Sequence, residues 1–254
     1  VSDLMDDDPV FVTTLTDQEK VAQVMSRYDL HVIPVVDLEN RLVGIVTFDD
    51  VLDVVEEEAT EDFERMAGIQ PFEEKYLEIG LFTLARKRLT WLLVCIMTQA
   101  FTSSILKYHE SVISSVVALT FFIPFLIDTG GNTGTQSSTL MIRGMTLGEI
   151  KWRDIGGVLL REAFTGLILG AVLALFGVFR AVSLGTGMDV ALVVAISLVA
   201  VVMIGNLVGV LLPFAARALR FDPAIVSGPF ITTVVDVVGL LIYFQIARQV
   251  LGLG

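Results

Sequence analysis

The sequence predicts a multi-domain chain: an α+β unit of order βαββα, followed by an all-α membrane domain of five helices. Three observations carry this. Charge is split along the chain, with 21 Asp/Glu against 5 Lys/Arg in residues 1–85 and 8 against 12 in residues 86–254. Nearly all long apolar runs fall in the second part, in a chain of 254 residues that is 54% hydrophobic with mean hydropathy +0.75. The first part instead alternates short β-branched runs with amphipathic stretches.

In chain order, Pro9–Val12 is expected as a short strand. Thr16–Tyr28 is expected as a helix capped by Thr16, with Glu19 three residues on. His31–Val36 and Leu42–Val46 are short apolar runs separated by the polar turn 37–41 (DLENR), as in paired strands. Thr47 then opens a helix at Phe48-Asp49-Asp50. These elements make a unit over residues 1–55, joined by a connecting helix over 52–70 to an interfacial amphipathic segment at 71–88 and a membrane domain at 89–254. Val1, with no leader pattern after it, suggests that the sequence starts inside a longer protein.

The acidic first part argues against nucleic acid and for cations as partners. Nine acidic residues fall between Asp49 and Glu64, and like charges three or four apart on a helix repel. A solvated face explains such a run, and so do divalent cations supplying the missing counter-charge. His31 and His109 have no Cys or His at metal spacing. The single cysteine, Cys95, forms no disulfide within the chain.

Five spans are expected. They are Leu89–Leu106, one starting at Val112 and running through Pro124, Ile155–Phe179, Val190–Ala215 and Ala224–Ala247. Gly166/Gly170 and Gly205/Gly209 are small-xxx-small pairs that suggest close helix packing and, more weakly, self-association. Basic residues flank the spans eight to three in favour of the side bearing the N-terminus. That places the N-terminus in the cytosol and, with an odd span count, the C-terminus outside. The second span is peculiar. Val112–Ile142 would be roughly 46 Å long if helical, against a hydrocarbon core of about 30 Å. It holds Pro124, Asp128 and the string Gly130-Gly131-Asn132-Thr133-Gly134-Thr135-Gln136. Such a string at membrane depth implies bent or opened backbone beside a water-filled path, or else a loop outside the bilayer.

The last span carries one charge, Asp236, with at least eleven uncharged residues on each side. A mid-membrane carboxylate costs roughly 2.5–3.5 kcal/mol on insertion scales, so it marks an ion or substrate pathway. The structural alternative is a protonated Asp, or one paired with a base of another span. No Lys or Arg lies near the middle of any other apolar segment.

Two resemblances follow from these residues. The order of elements and Gly44-Ile45-Val46-Thr47-Phe48-Asp49-Asp50 resemble a CBS (cystathionine-β-synthase-type) domain, whose matching turn holds the ribose and phosphate of an adenine nucleotide. Thr47 and Asp50 stand at the contact positions, and a plain helix cap is the alternative for Thr47. The glycine string after the apolar run with Pro124, and VSGPFITTVVDVVGLLIYF around Asp236, resemble the signatures of the MgtE family of magnesium channels.

That resemblance implies a homodimer in the bacterial plasma membrane with an Mg²⁺ path between protomers. The path would be lined by Gly130, Gly131, Asn132, Gly134, Gln136, Gly228 and Thr232, with Asp236 from both chains at the ion. It also implies a plug helix, matching about Leu52–Ala67, that closes the path when Mg²⁺ occupies acidic sites. Those sites match Asp17, Glu19, Asp29, Asp50, Asp53, Glu58, Glu61 and Asp62. Family members carry a helical domain and a first CBS unit ahead of the matched part, and some have Asn where Gly228 stands. The other reading is a membrane-anchored sensor of nucleotide or divalent cation that does not conduct, for which Asp236, Asn132, Gln136 and Asn206 would be superfluous. The sequence contains no nucleophile–base pair, HExxH or P-loop that would point to an enzyme.

Overall fold

Pairing in the first unit begins at Val12; of the residues expected before it in the strand, Pro9 has no N–H to give a sheet ladder, and Val10 and Phe11 also lie outside it. The computed structural model describes residues 9–72, 74–226 and 228–253, so expectations at residues 1–8, Glu73 and Ser227 fall outside it. It divides into two units, Val1–Phe63 and Glu64–Gly254. In the first, β1 (Val12–Thr13) runs parallel to β2 (Val32–Val36), and β2 pairs antiparallel with β3 (Leu42–Thr47). The β2–β3 turn is held by Asp37, whose carboxylate accepts the backbone N–H groups of Glu39 and Arg41 at 2.9 Å each. Chiefly through the Arg41 N–H, these bonds hold the Asp37 carboxyl below its ordinary value.

Helix α1 (Gln18–Arg27) is capped by Asp17, not by Thr16 as expected. Asp17 accepts the Glu19 N–H at 3.0 Å, while the Thr16 hydroxyl accepts the Thr13 N–H at 3.0 Å and is used up in the preceding turn. Val21, Ala22 and Met25 of α1 close over Val12 and Ile33, with Val51 of α2 (Phe48–Met66) completing this small core. The connecting stretch expected from Leu52 continues the helix that opens at Phe48, and the two form α2.

In the second unit, residues 71–80 carry turns, and α3 (Leu81–Tyr108) begins ahead of the basic triplet Arg86-Lys87-Arg88. After it come α4 (Glu110–Ser115), a 3₁₀ turn (Val117–Phe122), α5 (Ile123–Thr146), α6 (Ile155–Ser183), α7 (Met188–Ala218) and α8 (Gly228–Leu251). Among the described residues four stretches are long and apolar enough to cross a membrane: Leu81–Tyr108, Trp152–Ser183, Met188–Ala218 and Gly228–Leu251. His109 is buried and stacks on Phe244 with ring centres 4.6 Å apart.

The region expected as one long second span is instead broken, and the break is not where the glycines suggested. The backbone opens at Val116 and through the 3₁₀ turn, and Pro124 then sits in the first turn of α5, where its missing N–H costs nothing. From there α5 is one continuous helix through the whole glycine string, which excludes both the opened backbone and the external loop. The turn is fixed by Tyr243 of α8, whose buried hydroxyl donates to the Leu119 carbonyl at 2.8 Å.

Glycine is a poor helix former, but here tertiary packing overrides propensity. A Cβ on Gly205 would stand 2.6 Å from the Gly130 carbonyl oxygen, and one on Gly209 would strike the Gly134 carbonyl. On α6, Gly166 and Gly170 lie equally close to the backbone of α7, at Met203 and Val199. Both small-xxx-small pairs are thus used for packing within the chain.

A side chain at Gly205 must push backbone, not a flexible tip. Gly205→Val should destabilise the bundle by about 1–3 kcal/mol. Gly156→Ala, in α6 with nothing within 4 Å of the added atom, should leave the thermal midpoint in detergent unchanged or slightly raised. Equal midpoints for the two variants would contradict the close approach.

Candidate cation path on helices α5 and α8

Helix α5 has two unlike faces. Gly130, Gly131, Thr133, Gly134, Ser137 and Ser138 are buried, whereas Asp128, Asn132 and Gln136 are exposed. Spacing of four residues puts those three on one stripe, and the Asn132 amide donates to Asp128 Oδ2 at 3.2 Å. The glycines serve the buried face. A Cβ at Gly131 would meet Thr232 Cγ2 at 2.9 Å, and one at Gly134 would meet Ile231 and the Gly205 carbonyl at 3.0 Å each. Without side chains there, α8 and α7 come close beneath the polar stripe.

Helix α8 starts at Gly228, after a short 3₁₀ turn at Pro223–Ile225. Asp236 is therefore the ninth of 24 helical residues, not the midpoint that the apolar run implied. It is half-buried, between Val235, which is fully buried, and the half-buried Val237. Its neighbours Thr232 and Val235 pack against Gly131 and Gly130 of α5, the helix that carries Asp128. No Lys or Arg makes an ion pair with either carboxylate among the described residues. Like charges on packed helices repel unless a cation lies between or beside them. Thr232 is half-buried one turn earlier, with its hydroxyl donating to the Pro229 carbonyl at 2.9 Å. Gly228 is also half-buried, and a Cβ there would meet Thr135 of α5 at 3.1 Å.

At the end of this face lies a small cavity of about 20 Å³, lined by Thr135, Ser138, Thr139, Ile142, Val226, Gly228, Ile231 and Met66. Arg65, beside Met66, forms an ion pair with Asp222, and Asp222 also caps the turn before α8 by accepting the Ala224 N–H at 2.9 Å. Sequence reasoning missed this anchoring pair. The only signal was an Asp directly before Pro223, which fits a turn start equally well.

The acidic residues of the first unit are placed less simply. Asp17 caps α1, and Glu19 accepts the Gln23 amide at 3.1 Å. Asp29 stands in a turn with φ +51°. Asp50 accepts the Thr47 hydroxyl at 2.6 Å in the first turn of α2, so Thr47 takes part in a helix-start bond. Glu58 accepts the Gln18 amide at 2.8 Å, which ties α2 to the start of α1. Asp53 is exposed, and Glu61 and Asp62 are half-buried. Among the described residues no three His, Cys, Asp or Glu side chains come together as a metal-holding group. A hollow of about 350 Å³ in the same unit is lined by Thr13, Thr16, Val35, Val46, Asp50 and Val54, among others, but not by Thr47.

Apolar helices of spanning length, joined to a small α+β unit, define an integral membrane protein of the class that carries a CBS domain. Residues 1–57 match the CBS domain family, and residues 123–246 match the MgtE family, described as a divalent cation transporter. The chain is 47% identical over 251 residues to the magnesium transporter MgtE of Thermus thermophilus, covering 99% of this chain and 56% of that protein. It is 40% identical to that of Bacillus subtilis and 35% identical to that of Enterococcus faecalis, covering 97% and 98% of this chain and 54% of each relative. The chain spans about half the length of the curated relatives it matches. It belongs to the MgtE family.

Proposed function

We propose that the chain conducts Mg²⁺ along the open polar face of α5 and α8, with a second copy of the chain closing the path. The observation that carries this is the stripe Asp128, Asn132, Gln136, exposed on a helix between membrane-spanning neighbours and packed against the helix that carries Asp236. Such a stripe facing lipid would be costly, whereas facing its symmetry mate it lines water. Mg²⁺ dehydrates reluctantly and is held through its waters by one or two carboxylates. Asp236 from each of two chains supplies such a pair, and the hydrated ion in turn keeps both charged. The five-span reading counts the break before α5 and α5 itself as one crossing, with the N-terminus cytosolic and the C-terminus outside.

The gate is α2. Its acidic run at residues 49–64 would be drawn in by cytosolic Mg²⁺, with Asp17, Glu19 and Asp29 opposite. Its last turn, at Arg65 and Met66, is seated on α5 and the start of α8. An ion shifts such an equilibrium only by its differential affinity for the closed state, so several sites act together. The hollow of the first unit is the place for an adenine nucleotide, with Asp50 at its wall.

The pore is tested with the purified chain in liposomes and an internal Mg²⁺ indicator. Asp236→Asn keeps shape and hydrogen bonding but not charge, and should lower flux by roughly tenfold or more while folding normally. Asp236→Glu should also conduct poorly. Parent-like flux through Asp236→Asn would sink the proposal and leave the non-conducting sensor. For the gate, replacing Asp50, Glu58, Glu61 and Asp62 by Ala should give flux that internal Mg²⁺ no longer suppresses; suppression as in the parent would exclude these sites. Topology is read with Glu149→Cys and Met188→Cys in a Cys95→Ser background, since the neighbouring Gly148 and Gly187 take positive φ. An impermeant thiol reagent should label the two from opposite sides, and labelling from one side would refute the span count.

A further inference from the structure

Helix α6 packs along α7 and has little contact with α5, yet one of its side chains reaches α5. Ser137, buried on α5, has its hydroxyl 2.9 Å from Glu162 Oε2 and 3.1 Å from the Asn206 carbonyl of α7. A hydroxyl has one proton, and the carboxylate is the stronger acceptor. Asn206 is 2% exposed, donates through Nδ2 to the Glu162 carbonyl at 3.4 Å, and has its Oδ1 buried without a partner. Three helices therefore meet at Ser137.

The position of this bond matters because of what lies on either side of it. Where α5 touches α7, Gly205 and Gly209 face the Gly130 and Gly134 carbonyls, and the side chains beside them are few and small, Val201, Thr133 and Ser137; so shallow a contact restrains rotation and register weakly. A hydrogen bond is directional and supplies what that smooth contact lacks. At about 100° per residue, Ser137 lies roughly 180° around α5 from Asp128 and 140° from Asn132. A turn of α5 about its axis would break the Ser137 bond and swing the polar stripe by the same angle.

We propose that Glu162 is a positioning residue for the cation path: through Ser137 it sets the rotation of α5, and so the aim of Asn132 and Gln136. The inference rests on the conduction reading for its flux arm, and a second arm is independent of conduction.

In the first arm, Glu162→Ala should lower Mg²⁺ flux about tenfold, the weight of a hydrogen bond to a charged group. Ser137→Ala should match it, and the double variant should fall no further. Glu162→Gln retains an acceptor for Ser137 and should restore flux to within about twofold of the parent. In the second arm, Gln136→Cys in a Cys95→Ser background reports the aim of the stripe by its rate of labelling with an impermeant thiol reagent. Adding Glu162→Ala should change that rate at least about threefold, and adding Glu162→Gln should not. If Glu162→Gln is as impaired as Glu162→Ala, charge rather than positioning is at work and the inference is overturned. Unchanged labelling with Glu162→Ala overturns it as well. A parent without flux, but with labelling that follows the predicted order, would overturn conduction and leave the positioning role standing.

Discussion

The backbone-on-backbone contact of α5 with α7 is the constraint on which the second unit depends. Helix α5 packs apolar side chains at its two ends, Leu126 near the start and Met141 and Met145 near the finish, but its middle carries Asn132 and Gln136 among glycines and small polar residues. Gly130 and Gly134 against Gly205 and Gly209 substitute close approach of main chains for side-chain volume. In a bilayer, where apolar contact between helices has no advantage over contact with lipid, dispersion at short range is what holds such a pair together. The same absence of side chains lets Ile231, Thr232 and Val235 of α8 lie directly over α5, which brings Asp236 to the polar stripe.

Much of this was legible from the sequence because the signals were compositional. Charge asymmetry separated the two units, and runs of apolar residues marked α3, α6, α7 and α8 to within a turn or two at most ends. Asp236 stood out as a lone charge. What the sequence hid was set by partners far away along the chain. Glycine, asparagine and threonine are turn formers locally, so the string at 130–136 suggested an opened backbone; the carbonyl contacts with α7 make it helical. The real break, at Val116, is announced only by Ser114-Ser115 in an otherwise apolar stretch, a weaker turn signal than the glycine string.

Side-chain partnerships were the least legible. Thr16 and Asp17 are both good helix caps, and only the competing bond to Thr13 decides between them. Ser137, Glu162 and Asn206 lie on three helices, with Glu162 and Asn206 respectively 25 and 69 residues from Ser137 along the chain, and nothing in their local sequence links them. The acidic run of α2 was conspicuous, yet which of its members face one another depends on contacts such as Gln18 to Glu58.

The Tyr243 hydroxyl has a consequence for the order of assembly. It holds the Leu119 carbonyl across 124 residues, so the turn from which α5 sets out is completed by a helix that leaves the ribosome well after it. Until α8 has entered the bilayer, α5 can form as a helix but its starting point has no anchor. The polar face can therefore reach its final setting only once α8 has been made and α6, α7 and α8 are all present. Contacts so remote in sequence form late, and here lateness keeps the most water-seeking helix from being fixed before its surroundings exist.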